Sequence, residues 1–289
     1  MSNLIVGVNI EDKHLSAGLV DIETRKVVSG TLQRKRIDPS GSAEQIITAW
    51  TKILKEVSGT SKKIGIGFPG KCDYETGIYL LNEEGRYNSL FEHNFKEIFS
   101  AAIDSDPSSV KIMNDAASFL QGEVFSGSGR GFKSSLGITL GVGLGSAVYE
   151  NGKVTDANLH SMPFKNGIAE DYISIRGLIS KFKQLSGTEI KDLAELRELA
   201  DGDANVKLLF EEFASNLASF LELFIRKNNP EVVVIGGFME IYNRYFFDSL
   251  TDKVKALGIK IPVLRAILGE QASVMGAASL WYDASPIHA

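Results

Sequence analysis

A carboxylate stands at the junction between a predicted strand and a predicted helix, where it could act on a bound ligand. Asn114 and Asp115 follow an apolar run at 110–113 and precede a helix-forming stretch at 116–125. The carboxyl end of a strand is where α/β sheets place their ligands. An aspartate there can take the proton of a substrate hydroxyl while that hydroxyl attacks a phosphate. Asn and Asp are also preferred N-cap residues, so a structural role as a helix cap is the alternative.

Two glycine-rich segments could lie against a phosphate or a nucleotide. Three glycines alternate along the run 141–145, between two predicted strands, and a turn whose amides point outward can bind phosphate oxygens. A tight hairpin with a bulge explains the same pattern, and no Gly-Lys-Ser/Thr sequence of a P-loop follows it. The second segment, Gly236 and Gly237, ends a β-branched run at 231–235. An adenine or ribose could lie against that backbone, or the strand could simply turn there.

The elements around these residues predict an α/β protein with two related halves. A strand–turn–strand outline occurs at 7–21 and again at 136–150, and Asn151-Gly152 is a strong hairpin signal. A long helix is predicted at 203–227, and its apolar stripe is typical of a buried core face. The other predicted elements are strands at 4–10, 15–20, 27–32 and 63–68, a helix opened by a Ser42/Gln45 capping box, and helices at 242–257 and 271–282.

Composition and charge limit the classes of function that this protein can have. The 289 residues suffice for two domains with separate cores, and the net charge is −5. The longest basic cluster is the triplet 34–36, for which we predict a solvated strand end, so no nucleic-acid partner is expected. The single cysteine, Cys72, excludes an internal disulfide, and the four histidines lack metal-ligand spacing. We find no signal-peptide pattern and no apolar run of about 18 residues, which predicts a cytoplasmic protein without a membrane partner.

Taken together, these segments resemble the ROK family, which groups sugar kinases with sugar-responsive repressors. The match holds in order and spacing along nearly the whole chain, and the set is far more specific than any single member. No helix-turn-helix segment precedes Leu4, so the resemblance is to the glucokinase-like kinase branch. The matching segments are 65–70, 114–117, 122–123, 141–145, 162–164, 170–174, 235–237 and 268–278.

The resemblance implies an α/β, two-domain actin-like ATPase (ribonuclease H-like) fold, with mixed sheets flanked by helices and a cleft between the domains. We expect an N-terminal domain at 1–115 and 273–289, since the last helix of the family packs back on the first domain. A larger C-terminal domain is expected at 116–272. Family members are commonly dimers or tetramers, so a homodimer or higher homo-oligomer is expected.

The resemblance also implies ATP and Mg²⁺ as cofactors and a small-molecule sugar as phosphoryl acceptor, with Asp115 as the general base. No residue of the chain is predicted to be a metal ligand, and a solvated loop histidine is the alternative for His160. Residues expected to bind the sugar are Gly70, Asn114, Asn158, His160 and Glu170. Residues expected to bind the nucleotide are Lys13, Gly141, Val142, Gly143, Gly145, Gly236 and Gly237.

The first phosphate loop departs from the family pattern, which reads Asp-x-Gly-Gly-Thr. Here Asn9 replaces the acidic residue that helps to hold magnesium, and Glu11 and Asp12 replace the two glycines. Two unit charges about 4 Å apart interact by about 4 kcal/mol at an intermediate dielectric, so carboxylates facing a triphosphate would oppose its binding. Three arrangements stay open: Lys13 and His14 offset the charge, the acids point away, or additional metal bridges them to the phosphates.

The remaining departures lie in the segments expected to bind the second phosphate and the sugar. Val142 stands where the family often has Thr, Asn158 replaces the sugar-binding Glu, and Ser161 replaces the His that binds sugar or zinc. The Cys-rich zinc motif is absent. Two hypotheses follow: an ATP-dependent kinase of a hexose or hexose derivative, or a catalytically impaired relative that binds a sugar or a partner without phosphoryl transfer.

Overall fold

The chain forms two compact units in the computed structural model. Unit 1 comprises Met1–Gly131 with Ile267–Ala289, and unit 2 comprises Phe132–Ala266. The expected domains have their bounds at 115/116 and 272/273, and the helix that begins at Asp115 lies within unit 1. The residues that the structure describes are 3–82, 87–199, 203–237 and 242–282.

Strands and helices alternate along much of the described chain. The strands are β1 (Leu4–Ile10), β2 (His14–Asp21), β3 (Lys26–Val27), β4 (Gln33–Arg36), β5 (Ile64–Phe68), β6 (Val110–Asn114), β7 (Ser134–Leu140), β8 (Leu144–Glu150), β9 (Lys153–Asp156), β10 (Pro163–Phe164), β11 (Gly167–Ile168), β12 (Val232–Gly236) and β13 (Val263–Arg265). The helices are α1 (Ala43–Val57), α2 (Phe95–Ala102), α3 (Asp115–Ser126), α4 (Ala169–Tyr172), α5 (Ile175–Ser186), α6 (Leu193–Leu199), α7 (Ala204–Asn228), α8 (Asn243–Ala256) and α9 (Gln271–Ala278).

A mixed sheet forms the base of unit 1. Strand β1 pairs antiparallel with β2 and parallel with β5, and β5 pairs parallel with β6. Strands β3 and β4 both pair antiparallel with β2. The prediction of one strand at 27–32 is wrong, because the chain turns at Gly30, where φ is +78°. The Thr31 hydroxyl fixes this turn by accepting a hydrogen bond from the Leu19 amide at 3.1 Å.

Helix α1 confirms the capping-box prediction. The Ser42 hydroxyl accepts from the Gln45 amide at 3.3 Å, and the Gln45 side chain accepts from the Ser42 amide at 2.9 Å. These two bonds satisfy backbone donors that the first helical turn cannot pair internally. The predicted apolar face is buried, with Trp50 fully enclosed by the core of unit 1.

Glycines let α9 approach the sheet and α3 at backbone distance. A β carbon on Gly65 in β5 would overlap the carbonyl oxygen of Ala277, and one on Gly276 would overlap that of Ser118. Only a residue without a side chain can bring two backbones this close. Helix α9, near the end of the chain, is therefore an integral part of the core that the N-terminal strands begin.

A buried carboxylate fixes the segment at which the chain re-enters unit 1. Glu123 on α3 has no solvent exposure, and it accepts hydrogen bonds from the amides of Ser128, Ile267 and Leu268 at 2.8, 3.2 and 3.0 Å. Such charge-assisted bonds from backbone donors are among the stronger hydrogen bonds in proteins. Glu123 thus ties the end of α3 to the segment that leads into α9.

Unit 2 is built on a second mixed sheet with the order β13-β12-β7-β8-β9. Strand β12 lies parallel to β7, and the hairpin from β8 to β9 turns at Asn151 and Gly152 with positive φ at both, as predicted. The predicted long helix is α7, whose apolar stripe lies in the core of this unit, as predicted. Within the described residues, no helix combines the length and apolarity needed to cross a membrane.

Candidate active site

The sheet of unit 1 brings three predicted segments to one edge. Asn9 in β1 is the register partner of Gly67 in β5, and Gly67 is the partner of Met113 in β6. All three strands run parallel, so their carboxyl ends meet at the same edge of the sheet, where α/β proteins bind ligands. The segments that follow are the turn at 11–13, Pro69-Gly70 and Asn114-Asp115.

Asn114, and not Asp115, caps helix α3. Its Oδ1 atom accepts a hydrogen bond from the Ala117 amide at 3.0 Å. Asp115 is the first residue of the helix, half-buried, and its Oδ1 atom accepts from the Ala116 amide at 2.9 Å. The structural alternative raised from the sequence therefore applies to Asn114, which still has its amide nitrogen as a donor.

Gly70 lies exposed beside these residues. Its φ is +88°, a conformation that side-chain-bearing residues rarely adopt. Its carbonyl accepts a hydrogen bond from the Tyr74 hydroxyl at 3.1 Å, which fixes the turn that follows β5. The backbone of Pro69-Gly70 is thus open to a ligand at the edge where Asp115 lies.

The turn at the position of the family's first phosphate loop is a closed β-hairpin. The Glu11 amide donates to the His14 carbonyl at 2.8 Å, and the Glu11 carbonyl accepts from the Tyr87 hydroxyl at 2.8 Å. The Lys13 carbonyl accepts from the Ile37 amide at 2.8 Å, and the Lys13 side chain is exposed. The backbone groups of Glu11 are therefore engaged within the protein and cannot also bind a phosphate.

The Glu11 carboxylate is engaged by two neighbouring side chains. It pairs with Arg34 at 2.9 Å and accepts from the Asn9 amide nitrogen at 3.2 Å. Arg34 also pairs with Glu270 at 2.8 Å. Burial raises the pKa of Glu11, Arg34 lowers it, and the neighbouring carboxylates of Asp115 and Glu270 raise it further.

Arg34 is a functional candidate that sequence reasoning missed. Its side chain is only 20% exposed, although the basic triplet containing it was predicted to be solvated. Strand pairing places it there, since Arg34 is the register partner of Ser16 on β2. His14 does not offset the acids, because burial, Arg34 and Arg36 together lower its pKa and favour the neutral ring. Among the described residues, Arg34 is the cation that pairs with Glu11, and it is shared with Glu270.

Two glycine-rich segments meet at the edge of the sheet of unit 2. The run 141–145 is a tight hairpin closed by a hydrogen bond from the Gly141 amide to the Gly143 carbonyl at 3.0 Å, with Val142 40% exposed at its tip. Gly236 is the register partner of Thr139, next to this hairpin. Gly237 follows with φ of +99°, and a β carbon there would lie 2.6 Å from the Leu140 carbonyl oxygen. The predicted nucleotide-binding glycines of this unit therefore lie together.

Glu170, predicted to bind the sugar, braces the glycine hairpin in this structure. Its Oε2 atom accepts from the Leu144 amide at 2.8 Å, and a β carbon on Gly143 would lie 2.5 Å from the same oxygen. The other carboxylate oxygen pairs with Arg176, a residue that sequence reasoning also missed. Position 143 must therefore be a glycine, because the Glu170 carboxylate packs directly against the turn.

The other predicted sugar-binding residues lie in an exposed loop before α4. Asn158 has φ of +51°, and its amide donates to the Asp156 carboxylate at 2.8 Å. The His160 carbonyl accepts from the Glu170 amide at 3.0 Å, while the His160 ring is exposed. A backbone hydrogen bond therefore connects His160 with Glu170. The side chains of Asn158 and His160 are both exposed to solvent.

The described residues do not form a preorganised magnesium site. No group of three or more His, Cys, Asp or Glu side chains among them could hold a metal ion. Asn9 supplies an amide where the family has a carboxylate, and its buried Oδ1 atom has no hydrogen-bond partner. Glu11 is already paired with Arg34. The residues present therefore do not fit a metal held by the protein alone.

Comparison with known proteins agrees with this arrangement of segments. The glucokinase of Thermotoga maritima is 26% identical over 96% of both chains. An N-acetyl-D-glucosamine kinase of Pectobacterium carotovorum is 24% identical over 95% of this chain and 97% of its own.

Two solved structures share the fold. A ROK family glucokinase from Streptomyces griseus, in complex with glucose and AMPPNP, superposes with a TM-score of 0.77 at 23% identity, covering 96% of this chain and 98% of its own. A ROK hexokinase from Thermus thermophilus gives 0.76 at 22% identity, over 95% and 96% of the two chains. The predicted actin-like ATPase fold class, with mixed sheets flanked by helices, is confirmed. The ROK family model matches residues 5–158 and 164–284, and the chain belongs to the ROK family.

Proposed function

We propose that this protein is an ATP-dependent sugar kinase that phosphorylates a hydroxyl of a hexose or hexose derivative, with Asp115 as the general base. The observation that carries the proposal is the half-buried carboxylate of Asp115 at the carboxyl edge of the unit 1 sheet, where Asn114 performs the capping. The relatives named as glucokinase and N-acetyl-D-glucosamine kinase support the reaction class.

In this mechanism Asp115 takes the proton of the attacking hydroxyl as that oxygen approaches the terminal phosphate of ATP. Asn114 and Gly70, from neighbouring strand ends, hold the sugar ring so that one hydroxyl faces the base. Asn158, His160 and Glu170 are the proposed sugar-binding residues of unit 2. Positioning supplies much of the rate enhancement in phosphoryl transfer, because little covalent chemistry is left for the protein.

For the phosphoryl donor, the glycine hairpin with Gly141, Val142, Gly143 and Gly145 is the proposed phosphate-binding turn, and Gly236 and Gly237 are the proposed contact for adenosine. Lys13, which is exposed in the turn after β1, is the proposed nucleotide contact of unit 1. Magnesium would arrive on the phosphates, since the described residues offer no site of their own and Mg²⁺ is commonly bound through substrate phosphates. Homo-oligomerisation is part of this proposal, as is usual for the family.

One observation favours a second candidate function, sugar or partner binding without phosphoryl transfer. The Glu11 amide is committed to the hairpin, and the Glu11 carboxylate stands where the family places a phosphate-binding glycine. A phosphate approaching this turn meets a negative charge in place of a backbone donor.

The deciding experiment measures ADP production with MgATP and a panel of hexoses, amino sugars and acylamino sugars. Asp115→Asn is the matched control, since it keeps the shape of the side chain and removes the base. We expect turnover on at least one sugar and a loss of about 10²-fold or more in Asp115→Asn. Thermal unfolding with and without MgATP is measured in parallel.

Turnover no greater than in Asp115→Asn on every sugar, with no thermal shift from MgATP, would reject the kinase. Stabilisation by a sugar without turnover would favour the second candidate. Turnover that persists undiminished in Asp115→Asn would reject Asp115 as the base while leaving the kinase in place.

A further inference from the structure

Glu11 and Asp115 follow the parallel strands β1 and β6 at equivalent positions of the sheet register. Asn9, Gly67 and Met113 are aligned across β1, β5 and β6, and Glu11 and Asp115 each come two residues after their aligned neighbour. Adjacent strands are separated by about 4.8 Å, so the backbones of β1 and β6 are about 10 Å apart. Asp115 is among the neighbouring charges that raise the pKa of Glu11, so the two carboxylates lie within electrostatic range of each other.

The Glu11 carboxylate is held in one orientation by polar contacts to both of its oxygens. Oε2 pairs with Arg34 at 2.9 Å, and Oε1 accepts a hydrogen bond from the side-chain Nδ2 atom of Asn9 at 3.2 Å. The side chain is 26% exposed, so solvent screens it only in part. In its ionised form, a carboxylate restrained in this way directs its charge at the same neighbours.

Among the described residues, the charged groups that face Glu11 come from three other segments of unit 1. Arg34 from β4 is the cation, Glu270 just before α9 pairs with the same guanidinium at 2.8 Å, and Asp115 comes from α3. Arg34 is thus shared between two carboxylates and cannot fully cancel the charge of either. When ionised, Glu11 therefore adds a negative charge to the surroundings of Asp115.

We propose that Glu11 is a positioning residue for the general base, and that its restrained negative charge makes Asp115 a stronger proton acceptor. This inference rests on the proposed kinase function. A proton on Asp115 is stabilised by the nearby carboxylate, and a base whose conjugate acid is more stable takes a hydroxyl proton more readily. Arg34 sets the size of the effect, because it withdraws part of the charge that Glu11 presents.

This role assigns a function in the reaction to the first phosphate loop, in which this chain departs from the family pattern. The family pattern has its carboxylate at the position of Asn9 and uncharged glycines at the positions of Glu11 and Asp12, so in this chain the negative charge lies two and three residues further along the loop. Glu11 weakens the turn as a phosphate-binding element and strengthens the base instead. Binding of the phosphoryl donor would then depend more on the glycine hairpin of unit 2.

The kinetic test compares the pH dependence of kcat/KM in wild type, Glu11→Gln and Arg34→Met. Loss of the carboxylate should move the acid limb, which reports Asp115, to lower pH by about one unit. Loss of the guanidinium should move the same limb to higher pH. Opposite shifts from two partners of one ion pair are not produced by a common loss of packing.

Asp12→Asn is the control, because it removes the same charge from the adjacent residue of the turn. Its acid limb should move less than that of Glu11→Gln. Glu11→Asp should recover part of the wild-type profile, since the charge returns on a shorter side chain. Equal shifts in Asp12→Asn and Glu11→Gln, or shifts of one sign in Glu11→Gln and Arg34→Met, would overturn the proposal.

A measurement without turnover separates this inference from the proposed function. The carboxyl carbon of Asp115 is followed by NMR during a pH titration of the unliganded protein, with Asp115→Asn identifying the signal. We expect a lower pKa for Asp115 in Glu11→Gln than in wild type and a higher one in Arg34→Met. An unchanged Asp115 titration in both variants rejects the coupling whether or not the protein is a kinase. The expected shifts without turnover on any sugar reject the kinase and, with it, the role of the coupling in catalysis.

Discussion

Asn9 and Glu11 form a matched pair at the residue scale. They lie two positions apart at the end of β1, and the Asn9 amide nitrogen donates to the Glu11 carboxylate at 3.2 Å. The family has Asp at the first position and Gly at the second. Each change is therefore understandable in the presence of the other, since an aspartate at 9 would face the carboxylate at 11.

Asn9→Asp should lower the free energy of unfolding at pH 7 by about 1–3 kcal/mol, because it replaces a buried hydrogen bond with repulsion between two carboxylates. The double change Asn9→Asp with Glu11→Gln exchanges donor and acceptor, and should be less destabilised than the sum of the single changes. Urea unfolding of the four proteins measures the coupling. Strict additivity would contradict the pairing.

Cys72 should be unreactive in the folded protein. Burial raises the pKa of its thiol to about 12, so the nucleophilic thiolate is nearly absent at neutral pH. Labelling by a thiol-specific disulfide reagent at pH 8 should be at least about 100-fold slower in the native protein than in urea. Stoichiometric labelling of the native protein at the rate of a free thiol would show that Cys72 is accessible.

The sequence predicted single residues well where their chemistry was local. Asn114-Asp115 lies at a strand end and opens a helix, as predicted from a few neighbouring residues. Arg34 could not be predicted as a site residue, because its burial depends on pairing with β2 and on Glu270, far along the chain. The contact between Glu170 and the glycine hairpin was missed for the same reason.

At the scale of elements, the close approach of α9 to β5 requires a glycine at position 65. Gly65→Ala should destabilise the protein by about 3 kcal/mol or more, because the new β carbon would overlap a backbone oxygen that cannot move without shifting α9. Gly18→Ala on β2 is the control, since a β carbon there would have its nearest neighbour at 3.4 Å. Its effect should stay within about 1 kcal/mol. Similar losses in both variants, measured by chemical denaturation, would argue against the close contact.

Elements with strong local signals were predictable, and those defined by pairing were not. The Ser42/Gln45 capping box predicted the start of α1, and Asn151-Gly152 predicted a hairpin. The apolar character of 27–32 suggested one strand, yet Gly30 and the Thr31 hydroxyl turn the chain there. Both β3 and β4 are fixed by pairing with β2, which no local pattern records.

At the scale of the whole molecule, unit 1 is discontinuous in sequence and unit 2 is continuous. Residues 1–131 alone should fail to unfold cooperatively, because the surface that receives α9 is left uncovered. The same residues joined to 267–289 by a flexible linker should unfold cooperatively, since Glu123 contacts Ile267 and Leu268 and the join is short. Thermal unfolding followed by circular dichroism decides the matter, and equal cooperativity in both fragments would contradict the prediction.

The overall architecture could be predicted because family motifs recur in order along the chain, from Pro69-Gly70 to the segment at 268–278. The bounds of the units could not be predicted as closely. They depend on α3 packing against α9, two helices separated in sequence by the whole of unit 2. A sequence pattern identifies each helix as having an apolar side but does not say which partner covers it.

Because α9 follows unit 2 in the sequence, the core of unit 1 is completed late in the synthesis of the chain. Ribosomes release the strands of unit 1 first, then the whole of unit 2, and only then the helix that completes the first unit. The nascent chain therefore carries an open, glycine-lined surface on β1 and β5 for most of its synthesis. A chain stalled or cut before Gln271 would keep that surface uncovered, and such chains are the ones that chaperones and proteases should recognise.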